Sequence, residues 1–120
     1  MYYGFTMNNQ KLTITTTPAN ALAAAVLKLS GPMVLSNLFD FQAAVRAETA
    51  SLVVLDLTEV PFMDSAALGS VVNAHVSFVN DQRRLRLVGV SERVATLLKV
   101  TNVDRVFAVY PTVSEALASA

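Results

Sequence analysis

Leu52-Val53-Val54-Leu55-Asp56-Leu57-Thr58-Glu59-Val60-Pro61-Phe62-Met63-Asp64-Ser65-Ala66-Ala67-Leu68-Gly69 joins a buried strand to a capped helix. Its first four residues are a continuous apolar run, the pattern of a strand covered on both faces in a parallel sheet. That strand delivers Asp56 to its carboxyl end. A short loop through Pro61 follows, and Asp64 is placed to cap the first turn of a helix. Leu68, Val71, Val72, Val76 and Val79 then recur at helical spacing and are expected to form the helix's inner face. A buried strand leading directly into such a helix is the building unit of an α/β fold.

Reading outward toward the N-terminus, Lys11 to Thr16 alternates Leu12 and Ile14 with polar residues, which is strand periodicity, and Pro18 and Asn20 mark a turn. Ala23 to Leu29 reads as a second strand, antiparallel to the first. Ser30-Gly31-Pro32 interrupts it before the apolar run Met33-Val34-Leu35. Ser36 is placed to cap a helix carrying Leu38, Phe41, Ala44 and Val45 and reaching Glu48. Toward the C-terminus, Leu85, Leu87 and Val88 to Val90 form another strand, and Ser91 caps a helix carrying Val94, Leu97 and Leu98. Val106 to Tyr110 is a last short strand. Thr112-Val113-Ser114-Glu115 has the form of a capping box opening a final helix over Val113 to Ser119. The expected fold is one α/β domain over residues 1–120: a mixed β-sheet with an opening antiparallel pair, then alternating strands and helices, the helices packed largely on one face. No repeat, linker or low-complexity tract divides it.

At 120 residues the chain can bury a core large enough to hold without disulfides or a structural metal. It has no cysteine, which excludes zinc-ribbon, iron–sulfur and thiol chemistry. Nine basic residues balance nine acidic ones, so there is no global field to attract phosphate backbones or anionic lipid, and nucleic acid is not an expected partner. The charged fraction is only 15% against 53% hydrophobic, which points either to well-buried parallel strands or to an apolar face that docks a partner or a second copy, a homodimer. The longest apolar run, Ala21 to Leu27, is far too short to span a bilayer, and Met1 to Thr6 lacks the basic and apolar parts of a secretion signal. A cytoplasmic protein without membrane insertion is expected.

Few residues could carry catalysis. A nucleophilic serine needs a base within hydrogen-bond reach, and the one histidine, His75, lies about 15 Å along the helix axis from Ser65 at ~1.5 Å per residue. His75 is expected at the boundary of a packed helix. Scattered carboxylates show no metal-ligand spacing, and phosphate-loop and dinucleotide patterns are absent, so no catalytic residue, metal or cofactor is assigned. Arg83, Arg84 and Arg86 are the densest basic cluster and are expected to form a solvated strand entrance. Asp64-Ser65 is more informative. Ala66, Ala67, Gly69 and Ser70 leave the helix start bare, so that another protein's backbone could approach Ser65 closely. A phosphate at a helix start is tolerated by its free N–H groups and dipole, yet it adds ~1.5 to 2 negative charges beside Asp64 and would repel a partner docked there.

Two families share parts of this pattern. A response-regulator receiver has an aspartate at the end of its third strand, but Pro61 falls one position too late relative to Asp56 and the opening strands hold no acidic pair for magnesium. The sequence resembles much more fully a STAS domain, the fold shared by anti-sigma factor antagonists and the cytoplasmic tails of sulphate transporters. The resemblance covers about residues 8 to 119 and rests on four pieces in order: Leu29-Ser30-Gly31, Asp56-Leu57, Asp64-Ser65-Ala66-Ala67-Leu68-Gly69, and a tail of Ser91-Glu92-Arg93-Val94, Asp104-Arg105-Val106-Phe107 and Tyr110-Pro111.

The resemblance implies a non-enzymatic anti-sigma factor antagonist that works by partner switching. Its unphosphorylated form binds an anti-sigma factor that is also a serine protein kinase and frees the sigma factor; phosphorylation at Ser65 reverses this. Asp64, Ser65, Ala66, Ala67, Gly69 and Ser70 are then the expected partner-binding residues, with Asp64 shaping the loop. Antagonists commonly carry acidic residues after L-x-G that help contact the kinase, where this chain has Gly31-Pro32-Met33-Val34, and Ala67 replaces a usual glycine, narrowing the approach by one methyl. The alternative within the same fold is a STAS subunit of a membrane lipid-transport ATPase complex, without a phospho-switch.

Overall fold

A computed structural model describes residues 11–19 and 23–118. Asn20, the first residues of the resemblance and the expected helix end at Ser119 lie outside the described residues.

The strands are β1 (Thr13–Ala19), β2 (Ala24–Ser30), β3 (Leu52–Glu59), β4 (Arg84–Val88) and β5 (Ala108–Tyr110). They form one sheet in the order β1-β2-β3-β4-β5. β1 pairs antiparallel with β2, and each later pair is parallel, so the sheet is mixed as expected. The helices are α1 (Leu38–Ala47), α2 (Ser65–Asn80), α3 (Glu92–Val100) and α4 (Val113–Ala118).

Strand alternation divides the core into two layers. Leu27, Leu29, Val53, Leu55, Leu57, Leu85 and Leu87 meet Phe41 and Val45 of α1, Ala67, Leu68, Val71 and Phe78 of α2, and Val94 and Leu98 of α3. On the opposite face Ala24, Leu52, Val54 and Val88 pack on Ala116 of α4. β3 is the hinge of this arrangement: Leu52 to Leu55 are all buried, with two residues serving each layer. Among the described residues three helices therefore cover one face and a short fourth covers part of the other.

Several local expectations are corrected. β1 runs on through Pro18, opposite Ala25, instead of turning there. An edge strand tolerates proline because its outer side needs no donor. Val106 and Phe107 precede β5, held by a turn in which the Val106 N–H donates to the Val103 carbonyl (3.0 Å). Ser36 is not the cap of α1. Asn37 stands at that position, and its side chain is spent on the preceding loop: Oδ1 accepts from the Val34 N–H (3.0 Å) and Nδ2 donates to the Pro32 carbonyl (2.9 Å).

The arginine cluster is not a solvated entrance either. Arg86 is buried at 7% exposure, donates to the Ala116 carbonyl (2.6 Å) and lies over the Tyr110 ring. Arg83 donates to the Ala50 (3.0 Å) and Glu48 (2.8 Å) carbonyls and stacks on Phe78. Arg84 alone of the three is exposed. Two of the three guanidinium groups are thus fastened to helix and loop carbonyls, and the alternation of β4 puts Arg86 under α4.

Candidate functional site

Parallel strands gather the loops that follow them at one end of the sheet. At that end the loop after β2 lies along the loop after β3. The Gly31 N–H donates to the Glu59 carbonyl (3.0 Å), the Met33 N–H to the Phe62 carbonyl (3.1 Å), and the Asp64 N–H to the Met33 carbonyl (3.1 Å). Gly31 adopts φ +111, a conformation that L side chains rarely hold, and a Cβ there would collide with the Lys11 carbonyl oxygen. The glycine of Leu29-Ser30-Gly31 is thus required for β2 to turn beneath the chain that enters β1.

Asp64 joins these loops to α2. Its backbone is extended at φ −92, ψ 178, as an N-cap requires, and Oδ1 accepts from the Ala67 N–H (2.9 Å). Oδ2 accepts from the Leu35 N–H (3.0 Å). Both carboxylate oxygens are therefore engaged within the fold, one at the helix start and one across the loop. The Leu68 N–H donates to the Asp64 carbonyl (3.0 Å), which leaves the Ser65 and Ala66 N–H groups as the open donors of the first turn.

Ser65 is the first helical residue; it is exposed, and its hydroxyl makes no hydrogen bond with the described residues. Gly69, one turn on, is exposed as well, and a Cβ added to it would meet nothing within 4 Å. Ala66 is half-buried.

Ala67 and Ser70, grouped with them in the sequence, are corrected by their placement. Ala67 is fully buried against the sheet, so its methyl does not narrow the approach to Ser65. Ser70 is 7% exposed and accepts from Gln42 Nε2 (3.0 Å), fixing α1 beside α2. The reason is the helical period: positions 67, 71, 74 and 78 turn inward, while 65, 69, 76 and 79 turn away. Val76 and Val79, expected on the inner face, are accordingly 49% and 56% exposed.

The sequence reading missed two neighbours. Leu35 is 64% exposed and is tied by its N–H to Asp64. Phe39 is 72% exposed and lies on the flank of α1 that bears Gln42, facing α2. Apolar residues at a helix entrance read as core; of this pair, Leu35 is held in the loop by its N–H bond to Asp64. On the far side, the Ser91 hydroxyl caps α3 through the Val94 N–H (3.2 Å) and donates to the Pro61 carbonyl (3.1 Å), and Arg93 lies over Phe62. Ser65 thus stands on a rigid, mostly uncharged platform.

The remaining candidates have structural surroundings. Asp56 Oδ1 accepts from the Thr58 N–H (3.0 Å) and hydroxyl (2.5 Å), closing a local turn at the end of β3. His75 is half-buried with its ring edge-on to Phe107 at 5.4 Å, and its buried Nδ1 accepts no hydrogen bond from the described residues. Among the described residues no helix is long and apolar enough to cross a membrane.

Comparison with known proteins bears on this geometry. A family model described as "STAS domain" matches residues 13–116. Over 65 residues the chain is 40% identical to a Thermotoga neapolitana protein whose name assigns it, provisionally, to the anti-sigma factor antagonists. That match takes in 54% of this chain and 58% of the relative, so it spans little more than half of the relative's length. An anti-sigma factor antagonist from Mycobacterium paratuberculosis superposes with a TM-score of 0.81 at 19% identity, covering 92% of this chain and 94% of that one. The antagonist SpoIIAA in its unphosphorylated form superposes at 0.74 with 16% identity, covering 89% of this chain and 95% of that one. The phosphorylated form of SpoIIAA, the Bacillus cell fate determinant, superposes at 0.69 with 15% identity, covering 89% and 98%.

Proposed function

The chain belongs to the STAS domain family, and from that premise we propose that it is an anti-sigma factor antagonist working by partner switching in the cytoplasm. It is a binding module. Any phosphoryl-transfer chemistry belongs to its partner, an anti-sigma factor that is also a serine kinase.

The observation that carries this reading is Ser65: an exposed, unengaged hydroxyl at the first position of a sixteen-residue helix whose N-cap is tied down by two hydrogen bonds. A kinase needs such a hydroxyl to be accessible, and the rigid loop presents it without prior unfolding. A phosphate on Ser65 is favoured locally by the open N–H groups and by the dipole of α2. The switch acts on the partner instead. The unmodified platform is built from Ser65, Gly69, Leu35 and Phe39 and carries no charge of its own apart from the occupied Asp64 carboxylate. Phosphorylation would add ~1.5 to 2 negative charges to it, and a partner surface matched to the neutral form would then have to desolvate them without a counter-charge.

Other family antagonists use carboxylates after the L-x-G turn to contact the kinase. Here that stretch presents Leu35 to solvent while Met33 and Val34 are buried, so the docking surface offered is apolar. The lipid-transport alternative keeps the fold and makes Ser65 irrelevant. The experiment that separates the two is phosphate mapping: the protein recovered from its native cells, and after incubation with ATP and the kinase it retains, is digested and its peptides weighed. Phosphate on the peptide containing Ser65, lost in Ser65→Ala, supports the switch; a kinase-bound protein that never acquires phosphate there contradicts it.

A further inference from the structure

We propose that the cleft between α1 and α2 binds a small organic acid: a singly charged carboxylate with an apolar body. The cleft measures about 420 Å³, within the range of small-molecule sites. Its floor is apolar. Phe41 and Val45 of α1 meet Ala74 and Phe78 of α2 there, and all but Ala74 are fully buried. One wall is a polar stripe along α2, where Ser70, Asn73 and Ser77 recur three and four residues apart and Asp81 follows as the C-cap. The hydrogen bond from Gln42 Nε2 to the Ser70 hydroxyl (3.0 Å) spans the cleft at its Ser70 end. An apolar floor beneath a few placed polar groups suits a ligand that is itself half apolar. The site does not depend on reading Ser65 as a phosphoacceptor.

The charges select the ligand. Two guanidinium groups line the cleft, Arg46 from the last turn of α1 and Arg83 from the chain just past α2. Arg83 is immobilised. Its Nε and Nη2 donate to the Ala50 and Glu48 carbonyls, and its plane lies on the Phe78 ring at 3.9 Å, so Nη1 is the nitrogen left without a partner among the described residues. A guanidinium held in this way binds an acceptor with little further loss of side-chain freedom. Arg46 is exposed and makes no hydrogen bond or ion pair with the described residues. Asp81 is the one acid lining the cleft, so two positive charges against one negative leave a single positive charge. A carboxylate balances it. A phosphate monoester brings ~1.5 to 2 negative charges and would be repelled by Asp81. The carbonyl ends of both helices lie at this end and further disfavour a second negative charge. An ammonium group would face the guanidinium pair.

The test is a titration of the full chain, labelled with nitrogen-15 and followed by its amide resonances, with three probes that share one apolar body: phenylacetate, phenyl phosphate and phenethylamine. Phenylacetate is expected to shift the amides of Asn73, Ser77 and Arg83 saturably, with a Kd about tenfold below that of either other probe. Arg46→Gln should raise that Kd about tenfold, and Asp81→Asn should narrow the gap between phenyl phosphate and phenylacetate. Both residues are exposed, and circular dichroism melting checks that the variants are folded. Ser77→Phe, at an exposed position on the rim, should abolish the shifts by filling the cleft without touching either arginine. A phenylacetate titration that never saturates, shifts confined to other parts of the chain, or a Kd indifferent to both Arg46→Gln and Ser77→Phe overturns the proposal. So does tighter binding of phenethylamine, which would give the cleft to a cation held by Asp81.

Discussion

Asp64 carries more of the site than its neighbour suggests. Its two oxygens each hold one backbone N–H, that of Ala67 at the helix start and that of Leu35 across the loop. Asp64→Ala should therefore cost about 1 to 2 kcal/mol, at the upper end for a cap because two donors are lost, as read from urea unfolding midpoints. Ser65→Asp should behave differently. An acidic residue in the first helical turn is favoured by the dipole, so stability should hold or rise by up to ~1 kcal/mol in the same assay. That separation matters, because any loss of binding by Ser65→Asp is then a loss of contact and not of fold. The Asp-Ser pair was legible from the cap pattern alone. The roles of Ala67 and Ser70 were not, because small residues fit either side of a helix and composition cannot say which way position 67 turns.

At the scale of elements, the helical period was read correctly for Leu68 and Val71, which are buried, and for Val72, which packs on the core, and wrongly for Val76 and Val79, which are exposed. The packed face adds Ala67, Ala74 and Phe78 to Leu68, Val71 and Val72, and the last two valines fall outside it. A helix with apolar residues on both sides gives no polar stripe to orient it. The same ambiguity hid Arg86, whose basic neighbours suggest solvent while strand alternation points it beneath α4. Replacing it tests that placement. Arg86→Met keeps the buried stem but leaves the Ala116 carbonyl without that donor, and should destabilise the protein by about 1 to 3 kcal/mol. Amide hydrogen exchange should show α4 opening first.

The molecule as a whole is a sheet whose central strand serves two layers, and that was the part most open to reading. Leu52 to Leu55 read as a strand buried on both faces, and the helix starts at Asp64 and Ser91 followed from their capping residues, whereas Pro18 and Ser36 did not mark the turn and cap expected of them. Leu55→Ala, at a fully buried position, should cost about 2 to 5 kcal/mol by urea denaturation, more than any surface change above. The order of strands and the meeting of the loop after β2 with Asp64 depend on contacts between residues roughly thirty apart, which local pattern does not encode.

One ion pair crosses the exposed end of the sheet. Glu59, hydrogen-bonded by the Ser30 hydroxyl and paired with Lys28 Nζ at 3.0 Å, is held below the usual carboxylate range, and Lys28 is raised by the same partner. The Glu59 contribution is present above its unfolded pKa and lost as pH falls through its folded value; that of Lys28 is present below its unfolded pKa and lost as pH rises through its folded one. Both groups are solvated, so the effect is small. Glu59→Gln should slightly flatten the acid limb of a stability–pH curve and leave the other carboxylates' share unchanged.

In the proposed switch, the state of Ser65 decides which partner this chain holds. Its most direct test is capture from native cytosol with wild type and Ser65→Asp as parallel baits, the retained proteins being identified by mass spectrometry. Wild type is expected to retain a small ATP-binding serine kinase which Ser65→Asp loses, with both baits equally folded. Equal retention of the same protein by both baits, a transport ATPase above all, would contradict it.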